Sequence, residues 1–153
     1  MKRSEIRRQL RIRARNIIVQ SDRRFFVNIE RKDLGRIVRR LMQMENYTHL
    51  STITALEVGS NIEVIYHFSF TDALVSVKVQ TPKDKPLLPS IVDIIPGAAL
   101  YEREIHDLFG VEFEGNPDLS PLLLPDEWPE GVYPLRKWWS PERIISKLGE
   151  RRR

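Results

Sequence analysis

The sequence predicts an α+β fold: a small antiparallel sheet with helices on one face, followed by an extended proline-rich C-terminal tail. An amphipathic helical segment occupies 33–44. Three segments rich in β-branched and aromatic residues follow at 49–57, 62–70 and 74–80. A second helical segment ends at Gly110, a residue type that favours helix termini. A helix, three antiparallel strands and a helix in this order are typical of a two-layer α+β domain.

Side-chain periodicity assigns each of these elements. In the first helix, apolar residues recur every three or four positions from Leu34 to Met42, as expected for a helix that packs on a core. Three alternating valines in 74–80 predict a strand with one buried face and one solvated face. The turn residues at 58–61 predict a hairpin between the first two of the three strands. Two earlier strands are predicted at 16–20 and 24–30.

The last third of the chain differs in composition from the rest. Residues 111–153 contain six of the ten prolines and all three tryptophans, a density that forbids a central strand or a long helix before Pro141. Burying one large apolar side chain is worth about 1.5–3 kcal/mol, so the leucines and tryptophans here are expected in a groove of this domain or of a partner. We favour a partner, and we expect a short helix at 141–150. The predicted units are a basic N-terminal arm or helix at 1–15, a domain at 16–110 and a tail at 111–153.

Charge is distributed unevenly along the chain. The sequence holds 25 Lys and Arg against 21 Asp and Glu, but seven of the first fifteen residues are basic and only one is acidic. Residues 93–130 hold ten acidic residues and one basic residue, Arg103. A basic arm of this kind binds nucleic acid, an anionic membrane or an acidic protein face, or it remains a solvated terminus. Composition leaves these alternatives open.

The sequence excludes several classes of function. It has no cysteine, which rules out disulfides, thiolate-bound iron–sulfur clusters, cysteine-bound zinc and a cysteine nucleophile. The longest stretch without a charged residue, 46–56, has eleven residues, whereas a membrane helix needs about twenty. The sequence shows no glycine-rich phosphate loop, dinucleotide fingerprint or nucleophile elbow. We therefore expect a soluble intracellular chain.

The densest polar cluster lies in the second helical segment, at 102–107. Glu102 and His106 stand four positions apart and share a helix face, and Arg103 and Asp107 share the next one. Three carboxylates and an imidazole at this spacing are compatible with a metal site or with acid–base catalysis. Ion pairing to Arg103 or to a partner is the interpretation that we prefer, because no second histidine stands at ligand spacing.

The same segment carries a recognisable pattern. Residues 98–115 read AALYEREIHDLFGVEFEG, and NPDL at 116–119 and PLRK at 134–137 continue the pattern in order. Together they resemble the 30 kDa subunit family of respiratory complex I, an NADH dehydrogenase. That family also includes the related small subunit of membrane-bound nickel–iron hydrogenases and of archaeal complex I-like complexes. The sequence departs from the family pattern at Asn116 and Ser120, which favours a hydrogenase-type relative.

The resemblance implies a function and a set of partners. Members of the family have no redox centre and no active site of their own. The chain is therefore expected to be a non-catalytic, cofactor-free peripheral-arm subunit of an ion-translocating dehydrogenase or hydrogenase. The implied partners are the hydrogenase-type large subunit, on which the chain docks, and the iron–sulfur small subunit. Iron–sulfur clusters, and in hydrogenases a nickel–iron centre, would lie in these partners. The implied location is the cytoplasmic face of the cell membrane, with membrane contact only through the complex and no nucleic acid bound.

Two sets of residues follow from this interpretation. Residues of the second helical segment are predicted to form ion pairs or to lock the fold, with a network confined to the domain as the alternative. Tail residues are predicted to anchor a partner, because Trp and Arg dominate interface energetics, with folding of the tail on its own sheet as the alternative. The predicted locking residues are Glu102, Arg103, Glu104, Asp107, Phe109 and Gly110. The predicted anchors are Leu123, Trp128, Leu135, Arg136, Lys137, Trp138 and Trp139.

Two other functions compete with this interpretation for the whole chain. The arginine-rich start is compatible with a basic nucleic-acid-binding protein, whose binding would weaken steeply with ionic strength. The polar cluster at 102–107 is compatible with a small carboxylate-based enzyme or metal protein.

Overall fold

The computed structural model describes residues 1–151, which form four α-helices, two short 3-10 helices and seven strands. The α-helices are α1 (Arg3–Leu10), α2 (Leu34–Met42), α3 (Ala98–Phe109) and α4 (Pro141–Arg151). The strands are β1 (Ile17–Ser21), β2 (Arg24–Ile29), β3 (Tyr47–Val58), β4 (Asn61–Phe70), β5 (Leu74–Pro82), β6 (Leu87–Pro89) and β7 (Glu112–Glu114). Residues 152 and 153, the end of the predicted tail, lie outside the described part of the chain.

Five strands form one sheet in the order β1-β2-β5-β4-β3. The neighbours β3, β4 and β5 are antiparallel, as predicted, and β1 is antiparallel to β2. β2 is instead parallel to β5, because α2 carries the chain back along the sheet before β3 begins. The α+β class is confirmed, and the sheet is mixed where the sequence predicted antiparallel pairs throughout. A separate parallel pair joins β6 to β7.

The core lies on one face of the five-stranded sheet. Val75, Val77 and Val79 are fully buried, as the alternation in β5 predicts, and Val77 pairs with the buried Tyr66 of β4. Ile37 of α2 is fully buried in the same cluster. Helices therefore cover this face and exclude water from it, which is the main source of the domain's stability.

The opposite face of the sheet is polar. His67 of β4 lies there with Nδ1 2.9 Å from Ser76 Oγ and Nε2 3.1 Å from Thr54 Oγ1. Burial lowers the pKa of the His67 imidazole. His67 is a hydrogen-bonded sheet residue, as its place in a strand pattern predicts.

The basic N-terminal segment forms a helix that packs on the domain. Ile6 and Leu10 of α1 are fully buried in the core cluster. Arg36 Nη1 donates to the Leu10 carbonyl oxygen at 3.1 Å, and Arg40 Nη1 donates to the Gln9 carbonyl oxygen at 3.3 Å. Two arginines of α2 thus satisfy carbonyl groups that the last turn of α1 would leave unpaired.

The tail follows β7 as a series of turns and irregular chain. From 115 to 140 the described chain contains no helix or strand, in keeping with its prolines. The predicted C-terminal helix is present as α4, which begins at Pro141. Among the described helices, none combines the length and the hydropathy needed to cross a membrane.

Replacing Ile6 by alanine is expected to lower the free energy of unfolding by about 2–5 kcal/mol, because it leaves a cavity in the core beneath α1. Urea denaturation measures the change. Arg7→Ala, at the exposed neighbouring position, is the control and should cost less than about 0.5 kcal/mol. An equally small effect at both positions would show that α1 unfolds independently of the core.

Candidate functional site: the acidic helix and its tail

Helix α3 positions the polar groups of the candidate site. It begins after Gly97 and ends at Gly110, whose φ of 67° lies in the left-handed region that favours glycine. The Gly110 N–H donates to the His106 carbonyl oxygen at 2.8 Å and closes the last turn. On this helix, the side chains of Glu102 and Asp107 are buried.

Glu102 holds two separate loops against α3. Its Oε1 accepts a hydrogen bond from the Ile91 N–H at 2.8 Å, and its Oε2 accepts from Ser90 Oγ at 2.7 Å. Asn116 Nδ2 also donates to Oε2, at 2.8 Å. Burial raises the pKa of the Glu102 carboxyl above its ordinary value of 4.5, although hydrogen bonds from these three residues oppose the shift. A fully buried carboxyl group thus joins the chain before α3 to the chain after β7.

Tyr66 shares this buried environment. Its side chain is fully buried, and its hydroxyl has no hydrogen-bond partner among the described residues. Burial raises the pKa of the Tyr66 phenol well above 10, and the charge of Glu102 raises it further. The phenol therefore stays protonated and retains a proton that it can donate.

Asp107 fixes the backbone of the tail at residues 122–124. Its Oδ2 accepts hydrogen bonds from the backbone N–H groups of Leu122 at 2.8 Å and of Leu123 at 2.8 Å. The N–H of Leu124 donates to the same oxygen at 3.2 Å. Three consecutive amides around one carboxylate form a compact anion-binding nest. The side chain of a helix thereby sets the path of three leucines that have no strand or helix of their own.

Arg103 holds the adjoining part of the tail. Its Nε donates to the Ser120 carbonyl oxygen at 3.0 Å, and its Nη2 donates to Ser120 Oγ at 3.1 Å and to the Pro121 carbonyl oxygen at 2.9 Å. Its Nη1 lies 3.7 Å from Asp118 Oδ2. The guanidinium therefore binds the backbone of the tail more than it pairs with acids.

The Tyr133 ring and the Arg136 guanidinium join the tail to the end of α3. A Cβ atom at Gly110 would lie 2.3 Å from the Tyr133 ring, so this ring packs directly on the glycine backbone. The Arg136 guanidinium lies over the same ring, 4.6 Å from its centroid. Arg136 Nε donates to the Phe109 carbonyl oxygen at 2.7 Å, and Nη1 donates to the Lys83 carbonyl oxygen at 3.0 Å. A single arginine thus joins the tail to α3 and to the segment after β5.

Two of the polar residues in the predicted cluster lie apart from these networks. The side chain of Glu104 makes no hydrogen bond or ion pair with the described residues. His106 Nδ1 lies 3.0 Å from the Val111 carbonyl oxygen. Glu102 and Asp107 bind different partners, and no group of three or more His, Asp or Glu among the described residues is placed to hold a metal ion. The polar residues at 102–107 are therefore close together in the sequence, but their side chains contact different parts of the structure.

The predicted anchors also divide into two groups. Trp138, Leu123 and Leu135 are 66%, 56% and 54% exposed. Trp128 and Trp139 are half-buried, and Trp128 Nε1 donates to the Val132 carbonyl oxygen at 2.7 Å. The Lys137 side chain is exposed, while its backbone N–H donates to Glu57 Oε2 at 3.0 Å. We call Leu123, Leu135 and Trp138 the exposed tail residues.

Within the tail, an open groove lies between the turn at 125–128 and α4. Its volume is about 880 Å³. Trp128, Ile145 and Leu148 give it an apolar lining. The tail therefore adds a concave apolar surface to its exposed side chains.

Sequence reasoning missed several residues of this site. Ser90 and Asn116 bind Glu102, Ser120 binds Arg103, and Tyr133 packs on Gly110. Asn116 and Ser120 did carry a signal, since they are among the positions at which the sequence departs from the family pattern. Ser90 and Tyr133 lie outside the polar cluster, and no spacing rule connects them to α3.

The comparisons with known proteins agree on one family. The family model described as "Respiratory-chain NADH dehydrogenase, 30 Kd subunit" matches residues 27–143. The membrane-bound hydrogenase subunit beta of Pyrococcus furiosus is 32% identical over 133 residues, which are 82% of this chain and 77% of the relative. The C/D subunit of the NADH-quinone oxidoreductase of Phocaeicola vulgatus is 35% identical over 115 residues, which are 72% of this chain but only 22% of that protein.

The fold has a close counterpart among solved structures. A chain in the structure of the membrane-bound sulfane sulfur reductase, described as an archaeal respiratory membrane complex, superposes with a TM-score of 0.80 and 30% sequence identity. The superposition covers 96% of this chain and 91% of that chain. The similarity therefore extends over the tail as well as the sheet domain.

Replacing Asp107 by alanine is expected to release the tail, because three backbone amides lose their common acceptor. Hydrogen exchange of the amides of residues 122–124 should accelerate by about tenfold or more, while the amides of β4 keep their protection. Glu104→Ala, on the same helix, removes a carboxylate without described partners and is the control. Unchanged exchange at 122–124 in the Asp107 variant would contradict the assigned role.

The raised pKa of Glu102 predicts a pH dependence of stability. The unfolded chain ionises Glu102 near its ordinary value of 4.5, whereas the folded chain resists ionisation. The contribution to stability is therefore largest at pH values below 4.5 and is lost as the pH rises through this value towards the folded-state pKa. Urea denaturation across this range, on the wild type and on Glu102→Gln, should show the wild type losing stability relative to the variant. Parallel curves would show that Glu102 titrates alike in both states.

Proposed function

The chain belongs to the 30 kDa subunit family of respiratory-chain NADH dehydrogenase, and we propose that it is a non-catalytic subunit of a membrane-bound redox complex of the complex I or membrane-bound hydrogenase type. It docks on the hydrogenase-type large subunit through its tail and stabilises that subunit in the complex. One observation carries this proposal: the domain holds the tail in place while leaving large apolar side chains of the tail exposed.

The exposure of these side chains contrasts with the number of contacts that fix the backbone around them. Asp107 and Arg103 together accept from or donate to backbone groups of residues 120–124, yet Leu123 in this stretch is more than half exposed. Arg136 is held by two carbonyl oxygens, yet its neighbour Leu135 is more than half exposed. Exposed apolar groups on a fixed backbone lose little conformational entropy on binding, which is the property of a preorganised docking surface.

The relatives support a role beside a larger subunit. The relative from Phocaeicola vulgatus carries the double designation C/D, and the match to this chain covers 22% of it. In that protein the matched domain is therefore part of a much longer polypeptide. In our proposal, the domain that is covalently part of the longer C/D protein corresponds to this chain, which docks on its large neighbour non-covalently.

The proposal assigns no cofactor to this chain. Both carboxylate oxygens of Glu102 accept hydrogen bonds, Asp107 Oδ2 accepts three, and no group of three or more His, Asp or Glu among the described residues is placed to hold a metal ion. Electrons pass through iron–sulfur clusters of neighbouring subunits, and through a nickel–iron centre where the large subunit holds one. In this proposal the chain lies at the cytoplasmic face of the membrane.

Replacing Leu135 and Trp138 together by alanine is expected to weaken binding to the large subunit by about tenfold or more, since buried Trp side chains dominate interface energy. Quantitative mass spectrometry of the complex, purified in mild detergent from the native host, measures the amount of large subunit retained. Ile18→Ala with Val19→Ala is the matched control, because it removes two exposed apolar side chains from β1, at the sheet edge opposite β3.

Two outcomes would contradict the proposal. Retention of the large subunit by the tail variant at the wild-type level would show that the exposed tail residues do not anchor it. Equal loss in the β1 control would show that the sheet domain, rather than the tail, forms the interface.

A further inference from the structure

Arginine side chains cluster on the surface between α1 and α2, and some of them have no acidic partner in the part of the chain that the structure describes. Arg8 and Arg11 line one cleft together with Arg40 of α2. No carboxylate among the described side chains lies at ion-pairing distance from Arg8 or Arg11. By contrast, Arg36 pairs with Asp33 at 2.9 Å and Arg39 pairs with Asp93 at 3.4 Å. The sequence thus provides acids for the other arginines of α2 but none for those that line the cleft.

Helix capping explains only part of this charge. Arg36 and Arg40 donate to carbonyl oxygens at the end of α1, so their positions follow from the need to satisfy those groups. Arg8 and Arg11 have no such bond within the described chain. Desolvation lowers the pKa of the Arg40 guanidinium, and the charges of Arg11 and Arg36 lower it further. The guanidinium groups therefore repel one another in the absence of a counter-charge.

The cleft has the size and the donors for an oxyanion. Its volume is about 420 Å³, and Gln9 and Gln43 complete the lining beside the three arginines. An adjoining cavity of about 380 Å³ shares Arg8 and Arg11. A guanidinium presents its N–H donors as a planar fork that matches two oxygens of a phosphate group. No aromatic ring lines either cavity in the described chain, so neither offers a stacking platform for nucleic-acid bases.

We propose that the cleft between α1 and α2 binds a phosphate group, held by Arg8, Arg11 and Arg40. The phosphate belongs either to the head group of an anionic lipid or to a small soluble phosphate compound, since both present the same oxygens to the guanidinium groups. The site is separate from the tail and from α3, so it stands independently of the docking function.

The test uses the full chain and two probes. Sedimentation with vesicles of phosphatidylglycerol in phosphatidylcholine, against phosphatidylcholine alone, measures lipid binding at low and at physiological salt. Titration with inorganic phosphate, followed by the NMR shifts of the arginine side-chain N–H groups, measures binding of the soluble form. Binding to anionic vesicles alone assigns a lipid head group, and specific binding of inorganic phosphate assigns a soluble compound.

Two variants of equal charge decide whether the cleft is the site. Arg8→Gln with Arg11→Gln should lower the affinity for the bound probe by about tenfold or more. Arg23→Gln with Arg24→Gln removes the same charge from exposed positions at the start of β2 and should change the affinity by less than about twofold. Thermal unfolding checks that both variants fold. Equal losses of affinity in the two variants would overturn the proposal. Failure of the chain to bind both anionic vesicles and inorganic phosphate would also overturn it, and so would binding of polyglutamate as tight as that of the probes.

Discussion

Residues 115–140 contain no helix or strand, so their backbone amides lack the regular partners that a sheet or a helix supplies, and side chains of α3 take over that role. Asp107 accepts from three consecutive amides, and Arg103 donates to two carbonyl groups just before them. Glu102 likewise accepts a hydrogen bond from the Ile91 amide, in the chain before α3. The irregular parts of the molecule on both sides of α3 depend on these charged groups.

The arrangement separates two tasks that apolar packing usually performs together. In the sheet domain, burial of valines and aromatic residues both orders the chain and stabilises it. In the tail, polar groups fix the backbone, and the side chains of Leu123, Leu135 and Trp138 remain more than half exposed. This division explains how a proline-rich segment with large apolar residues keeps a definite path without burying all of them in its own domain. The charged side chains of Glu102, Arg103 and Asp107 thus have partners within the chain itself.

Much of the sheet domain can be predicted from the sequence, because the period of its apolar residues reports directly on burial. The valines of β5 and the helical repeat of α2 are examples, and both elements lie within a few residues of their predicted limits. The parallel pairing of β2 with β5 cannot be predicted in this way, since pairing between distant strands has no local signal. β6 is hidden by the prolines that flank it, and its parallel partner β7 is only three residues long.

The candidate site is less accessible to prediction. The residue types of α3 stand out as a cluster, but their separate partners Ser90, Asn116 and Ser120 depend on how loops return to the helix. Spacing along one helix gives the face of each side chain and not the distant group that meets it. Glu104, which fits the pattern as well as its neighbours do, has no partner in the described residues, and only the three-dimensional arrangement distinguishes it from them.

The pairing of β2 with β5 also governs the order in which the molecule can assemble during translation. Arg24 pairs with Leu74, about fifty residues later, so the first two strands cannot join the main sheet until β5 has left the ribosome. Closure of this long segment costs more chain entropy than the local hairpins of the sheet do, so topology favours its formation after them. The tail is synthesised last and meets α3 only after that step. A nascent chain interrupted before β5 would expose the apolar faces of α1, α2 and β3, so ribosome pausing in the first half of the message carries a greater risk of aggregation than pausing in the tail.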